Sequence, residues 1–255
     1  PAVWKSSLMW KIPLKQRLAY LKHSLTYIYY IDRIIYSYSY VDGVYTNKPD
    51  NIAGTWNFQY SFRGQHYIKG KNFNYTFSCE YNRMKNFVAE GTTGTYNQIK
   101  NDELHLSLPV TFWGYFTKDR KLSGGVNVSI DWRKPLNDRP DLGYNNTWQY
   151  KVKPWVAVSL PADIDFNTDC DVVKRTGYSN EELNKFTYVW NMELSKPIFK
   201  DKILLKLKAI DILRQYKSVA YIVNERGIRE TRAITLPSYL LFSVTCKFNK
   251  QPMKK

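Results

Sequence analysis

The chain's 255 residues are 44% hydrophobic and 24% charged, with a formal net charge of +16. That length can bury a sizeable core, but no run approaches the ~18 uninterrupted apolar residues that a membrane helix needs, so helical spans are excluded. A mean hydropathy of −0.49 leaves a transmembrane barrel open, because half of each barrel strand faces a polar interior, whereas the scatter of Lys and Arg over turns and polar strand faces, without a basic helix or motif, excludes nucleic acid as a partner.

In chain order, a short connection at residues 13–16 is followed by a long one at 42–50. Beyond it Ile52, Trp56, Phe58, Tyr60 and Phe62 oppose Asn51, Thr55, Asn57, Gln59, Ser61 and Arg63. This is the two-residue period of a strand with one apolar and one polar face. After a short connection at 64–71 the pattern resumes, with Phe73, Tyr75, Phe77 and Tyr81 against Asn72, Asn74, Thr76, Ser78 and Glu80. A long connection at 86–101 contains Gly91-Thr92-Thr93-Gly94, which is too short for a phosphate loop and reads as a flexible turn. Trp113 and Tyr115 then fall on the polar parity of their strand, where they suit either wall packing or stacking against a sugar.

Past the short connection at 117–121 comes the clearest segment. Leu122, Gly124, Val126, Val128, Ile130 and Trp132 alternate with Ser123, Gly125, Asn127, Ser129 and Asp131. A long connection at 134–146 leads to a strand with Gln149, Lys151 and Lys153 on its polar parity, followed by a short turn at 160–163. Asp163, Asp165, Asn167, Asp169 and Asp171 come next. Their spacing invites a calcium-loop reading, but Thr168 and Lys174 stand where such a loop needs Gly and Glu. Interleaved Ile164, Phe166, Cys170 and Val172 make a strand instead, so the acids form a lumen-facing stripe that pairs with Lys151 and Lys153. A long connection at 177–185 and a short one at 196–202 flank the next strand. Lys202, Lys206 and Lys208 alternate with Ile203, Leu205, Leu207 and Ala209, which aims these cations at the lumen. The longest connection, 211–236, precedes a final strand over 238–248, with a helical turn near 211–215.

The tally is about eleven strands of roughly 9–12 residues, the length a tilted strand needs to cross a bilayer. With 21 Tyr, 12 Phe and 8 Trp, aromatics make up 16% of the chain and suit the girdles where a barrel meets lipid headgroups. Short turns alternating with long loops are the habit of outer-membrane barrels, whose tight turns are periplasmic. A soluble sandwich also alternates its faces, but strands this long and aromatic faces this sustained argue against it. An odd strand count cannot close an antiparallel barrel of neighbouring hairpins, so further strands are expected upstream.

His23, His66 and His105 lie apart in sequence and assemble no nucleophilic grouping, and Cys79, Cys170 and Cys246 have neither disulfide-framework nor metal-ligand spacing. No catalysis, cofactor or metal site is inferred. No leader precedes Pro1, which reads as a mature or truncated start.

Residues 185–248 carry a resemblance. The succession Phe186-Thr187-Tyr188-Val189-Trp190-Asn191-Met192-Glu193-Leu194-Ser195-Lys196 is followed by Lys202-Ile203-Leu204-Leu205-Lys206-Leu207, then by Ala209-Ile210-Asp211-Ile212-Leu213. Leu236-Pro237-Ser238-Tyr239-Leu240-Leu241-Phe242-Ser243-Val244 closes it. This order resembles the C-terminal end of Bacteroidota outer-membrane β-barrel proteins related to TonB-dependent receptors. Ser238 stands where that family commonly has Arg, and Cys246 where it usually has an aromatic residue. The resemblance implies a terminal-strand insertion signal at Tyr239, Phe242 and Phe248 read by the barrel-assembly machinery, and a TonB-type energy transducer acting through a plug domain absent from these residues.

The expected fold is therefore all-β, a transmembrane antiparallel up-and-down barrel of which residues 1–255 are the C-terminal portion. The expected place is the outer membrane of a Gram-negative bacterium, in contact with lipid and lipopolysaccharide. The expected role is the wall of a TonB-dependent-receptor-like importer of solutes. The rival is a binding or adhesion barrel that transports nothing.

Overall fold

The computed structural model describes residues 2–15, 19–41, 44–90, 95–137, 146–178, 181–216, 219–224, 227–232, 236 and 238–247. Its strands are β1 (Val3–Pro13), β2 (Tyr20–Tyr30), β3 (Arg33–Val41), β4 (Val44–Ile52), β5 (Thr55–Ile68), β6 (Lys71–Glu90), β7 (Thr95–Tyr115) and β8 (Leu122–Asn137). They continue with β9 (Thr147–Leu160), β10 (Ile164–Thr176), β11 (Thr187–Ile198), β12 (Ile203–Ile210), β13 (Val219–Asn224), β14 (Gly227–Arg232) and β15 (Tyr239–Cys246). One 11-stranded antiparallel sheet runs β1-β2-β5-β6-β7-β8-β9-β10-β11-β12-β15. Two ribbons, β3-β4 and β13-β14, stand outside it. The sheet is a meander with β1 and β15 as its two edges, which do not pair with each other, so these strands do not close into a barrel.

Links of two to six residues alternate along the sheet with links of nine residues or more, save that β6 and β7, which extend past their neighbours, are joined by only four. Because antiparallel neighbours reverse direction, the other short turns lie along one edge of the sheet, and the long connections with the extended β6-β7 hairpin lie along the other. The shortest link, between β5 and β6, is Lys69-Gly70 with φ of +46° and +79°, the left-handed pair that a two-residue hairpin demands. Between β7 and β8 the turn is closed by Phe116 N–H donating to Leu122 O (2.9 Å) and Leu122 N–H donating to Thr117 Oγ1 (3.1 Å). Phe199, Lys200 and Asp201 all take positive φ between β11 and β12.

Two of the expected long loops are ordered as strand. Residues 42–50 belong largely to the β3-β4 ribbon, and β6 and β7 pair as far as Glu90↔Thr95. Once a hairpin is anchored in the sheet, each further cross-strand pair satisfies backbone donors and acceptors that would otherwise need water, so the ladder extends. The 211–236 connection likewise holds the β13-β14 ribbon. The glycine turn at 91–94 lies outside the described residues.

Two prolines interrupt the ladder. Pairing of β6 with β7 skips from Tyr75↔Val110 to Ser78↔Ser107 around Pro109, and that of β9 with β10 skips from Asp169↔Trp155 to Val172↔Val152 around Pro154. A proline has no N–H to give its neighbour strand.

The registers sort every strand residue onto one of two faces, since directly opposed residues share a face. One face carries Leu8, Leu25, Tyr60, Cys79, Leu106, Trp132 and Trp148 in a single cross-strand row. Nothing among the described residues covers this apolar face. Among the described residues the buried apolar side chains are Ala19, Ile35, Ile52 and Leu183, all outside the strands of this sheet, while Trp4, Leu8, Trp10, Val152, Val156, Leu207 and Phe242 on its apolar face are exposed. Along most of β9 the order is the reverse of a soluble sheet: Trp148, Tyr150, Val152 and Val156 are exposed, and Gln149, Lys151 and Lys153 are partly buried.

Candidate functional site

The polar face is where charge collects. Lys151 pairs with Asp171 at 2.9 Å, and Lys153 bridges Asp169 (3.0 Å) and Asp171 (3.2 Å). These contacts follow from register: β9 and β10 place Asp171 beside Lys153, which also reaches Asp169 on the next row, while Lys151, opposite Val173, reaches across one row to Asp171. Asn191 on β11 donates to Asp169 Oδ2 (3.1 Å), and Ser159 Oγ donates to Asp165 (2.7 Å). Lys206 pairs with Glu193 at 3.0 Å, and Lys208 lies opposite Glu193 in register. Thus Lys151, Lys153, Asp165, Asp169, Asp171, Lys206 and Lys208 share one face. Asp163 does not join them; it sits exposed in the turn Pro161–Asp163 at a φ of +58°. The chain reverses direction there, which takes Asp163 out of the strand's parity.

Trp113 and Tyr115 lie on the polar face as the parity indicated, edge to face at 6.1 Å. Arg120 stacks over Tyr115 at 5.4 Å. Gly125 lies directly opposite Trp113, and a Cβ there would fall 2.7 Å from the Trp113 Cβ, so the glycine is what lets the indole settle against β8.

Pairings that span β6, β7 and β8 could not be foreseen without register. Arg133 meets Glu103 at 3.0 Å and His105 meets Asp131 at 3.5 Å on the polar face. On the apolar face, near the edge with the long connections, Arg83 binds the buried Asp102 at 2.9 Å, Tyr81 donates to the same carboxylate, and Arg83 lies 5.3 Å over Trp56. Asp211, 2% exposed, accepts the backbone N–H groups of Gln215 and Tyr216 and so builds the turn after β12. His23 and His66 are on the apolar face, His23 stacked on Trp10 at 4.7 Å and within 3.0 Å of the Tyr60 hydroxyl.

Aromatic rings line both margins of the apolar face. Near the long connections Trp4, Tyr27, Trp56 and Tyr81 form a chain of ring contacts at 5.8, 5.8 and 5.1 Å, and Trp132, Trp148 and Tyr150 form another at 5.7 and 5.9 Å. Near the short turns Phe62, Tyr75 and Phe73 do the same at 5.8 and 5.6 Å. Between Lys71 and Arg83 the apolar face of β6 carries only Phe73, Tyr75, Phe77, Cys79 and Tyr81. On β15 Phe242 points to this face and Tyr239 to the other, while Phe248 lies outside the described residues.

The chain matches no protein family, no curated protein and no solved structure.

Proposed function

We propose that this chain is part of the wall of an outer-membrane β-barrel that imports solutes, with the apolar face toward lipid and the ion-paired face toward a water-filled lumen. The observation that carries the reading is the inverted burial of a long antiparallel meander: apolar residues uncovered on one face, charged residues crowded on the other. In water an apolar surface of this extent would be covered or would aggregate. Hydrocarbon makes it stable, provided every backbone group is paired.

The dimensions agree. At about 3.4 Å per residue, Lys71 and Arg83 stand roughly 40 Å apart along β6, or about 30 Å in height at a ~40° tilt, enough to bracket a hydrocarbon band of ~25 Å. The aromatic chains at both margins fall where headgroups would lie. Import by a TonB-type mechanism rests on the resemblance of residues 185–248 and on a plug that these residues do not contain. The barrel-assembly machinery, a lumen open to solute and a Gram-negative outer membrane belong to the same proposal.

Paired arginine substitutions test the membrane reading. Val128 lies on the apolar face between Val110 and Val152, and Thr111 on the polar face between Asn74 and Asn127. In cells expressing the protein, Val128→Arg is expected to cost about 2–4 kcal/mol of insertion free energy and deplete the outer-membrane fraction. Thr111→Arg is expected to leave that fraction unchanged. Equal tolerance of both would refute a lipid-facing row. Solute uptake that survives deletion of the protein would refute the importer and favour the binding barrel.

A further inference from the structure

We propose that Lys11, Lys22 and Arg63 form an oxyanion-binding site on the polar face of β1, β2 and β5, near the edge with the short turns. Lys11 is directly opposite Lys22, and Lys22 directly opposite Arg63, so three cations stand in one cross-strand row. Neighbouring strands are about 4.8 Å apart, which places the outer two within ~10 Å at the backbone. Like charges opposed in this way destabilise a sheet.

Four cations elsewhere on the polar face, Lys151, Lys153, Lys206 and Arg133, each meet a carboxylate. Among the described residues, no carboxylate forms an ion pair with Lys11, Lys22 or Arg63. The polar parity of β1, β2 and β5 contains no Asp or Glu at all. The row therefore carries an unbalanced charge that a bound anion would relieve.

What lies beside the row suits an oxyanion. The next row holds Ser24, Ser61 and Ser78, and these hydroxyls line a hollow of about 220 Å³ with Thr26, Gln59 and Glu80. Glu80 is on the far side, accepting from Asn57 Nδ2 (2.8 Å) and Asn82 Nδ2 (3.0 Å), and so leaves the cations unpaired. Hydroxyl donors beside a guanidinium fork and two ammonium groups match the oxygens of a carboxylate or phosphate. Lys11 is steadied at this end by the Tyr20 ring, 4.1 Å from its Nζ. The ligand class is a small molecule bearing a carboxylate or phosphate group. The site needs only that this face meet water, so it stands apart from import.

Calorimetric titration of the detergent-solubilised full-length protein at low salt, with inorganic phosphate and separately with citrate, tests it. Saturable binding of at least one anion is expected, weakened at least about tenfold by Lys22→Gln or Arg63→Gln and unchanged by Lys118→Gln in a neighbouring turn. Relief of repulsion should leave both row variants at least as heat-stable as the parent, which separates lost binding from lost fold. Binding of phosphate alone or citrate alone supports the site and tells which oxyanion it takes. No saturable binding, or equal weakening by all three substitutions, would overturn it. That failure would leave the membrane reading intact, since insertion of Val128→Arg is measured independently.

Discussion

Gly125 shows how one side chain's absence shapes the polar face. A Cβ there would meet Phe112 O at 2.4 Å and the Trp113 Cβ at 2.7 Å, and backbone cannot swing aside as a side-chain tip can. Gly125→Ala should therefore force β7 and β8 apart and cost about 1–3 kcal/mol, read as a lower denaturant midpoint. Gly70→Ala meets open space but must hold a φ of +79°, so its expected cost of about 1–2 kcal/mol comes from the backbone alone. In the β7-β8 turn, hydrogen bonds from the Thr117 hydroxyl and then the Lys121 backbone hold the Asp119 carboxyl below its ordinary value. A carboxylate lowered on folding favours the folded turn above its unfolded value of about 3.9 and loses that contribution as pH falls through the folded value. Amide exchange at Lys121, relative to its intrinsic rate, is expected to speed up as pH drops below ~4, and Asp119→Asn should abolish that dependence.

Strands were legible because their period is 2, and β8, β9 and β10 each announce both faces in sequence. The acidic stripe on β10 and its partners Lys151 and Lys153 were readable for the same reason: sequence-adjacent strands in a hairpin nearly fix their own register. Lys153 bridges two carboxylates while about one-third exposed, so Lys153→Met is expected to cost only about 0.5–1 kcal/mol, shrinking as salt is added. A loss of several kcal/mol would mean that the stripe is far drier than its exposure indicates. The row Lys11–Lys22–Arg63 is not legible in the sequence because it spans three strands, and β2 and β5 are separated in sequence by the β3-β4 ribbon. Asp163 falls in the turn before β10 and not on the stripe, and one residue is enough to change a side chain's face.

At the level of the molecule, the consequential feature is an antiparallel sheet with two free edges. β1 and β15 lie an even number of steps apart in the order, so they run in the same direction and could pair directly only in parallel. Closing the ladder with antiparallel pairs throughout takes an odd number of further strands. On the proposed reading, the long connections face outside the cell and the short turns face inside. A membrane-impermeant maleimide should then label a cysteine placed at Asp50, in the β3-β4 ribbon, in intact cells. It should not reach one at Lys118, in the β7-β8 turn, until the cells are opened; both variants need Cys79, Cys170 and Cys246 replaced. Labelling at both sites in intact cells would count against this orientation.

Taken alone, the sequence indicated the two-faced character of β5, β6, β8, β9, β10 and β12 and the short turns between hairpin strands, because these depend on neighbours in the chain and on a two-residue period. Register across non-adjacent hairpins, the extension of β6 and β7 past the sheet, the ladder gaps at Pro109 and Pro154, and the choice of ionic partners belonged to the tertiary structure. Each depends on which strands lie side by side, and a face pattern of period 2 is equally compatible with every shift of two residues.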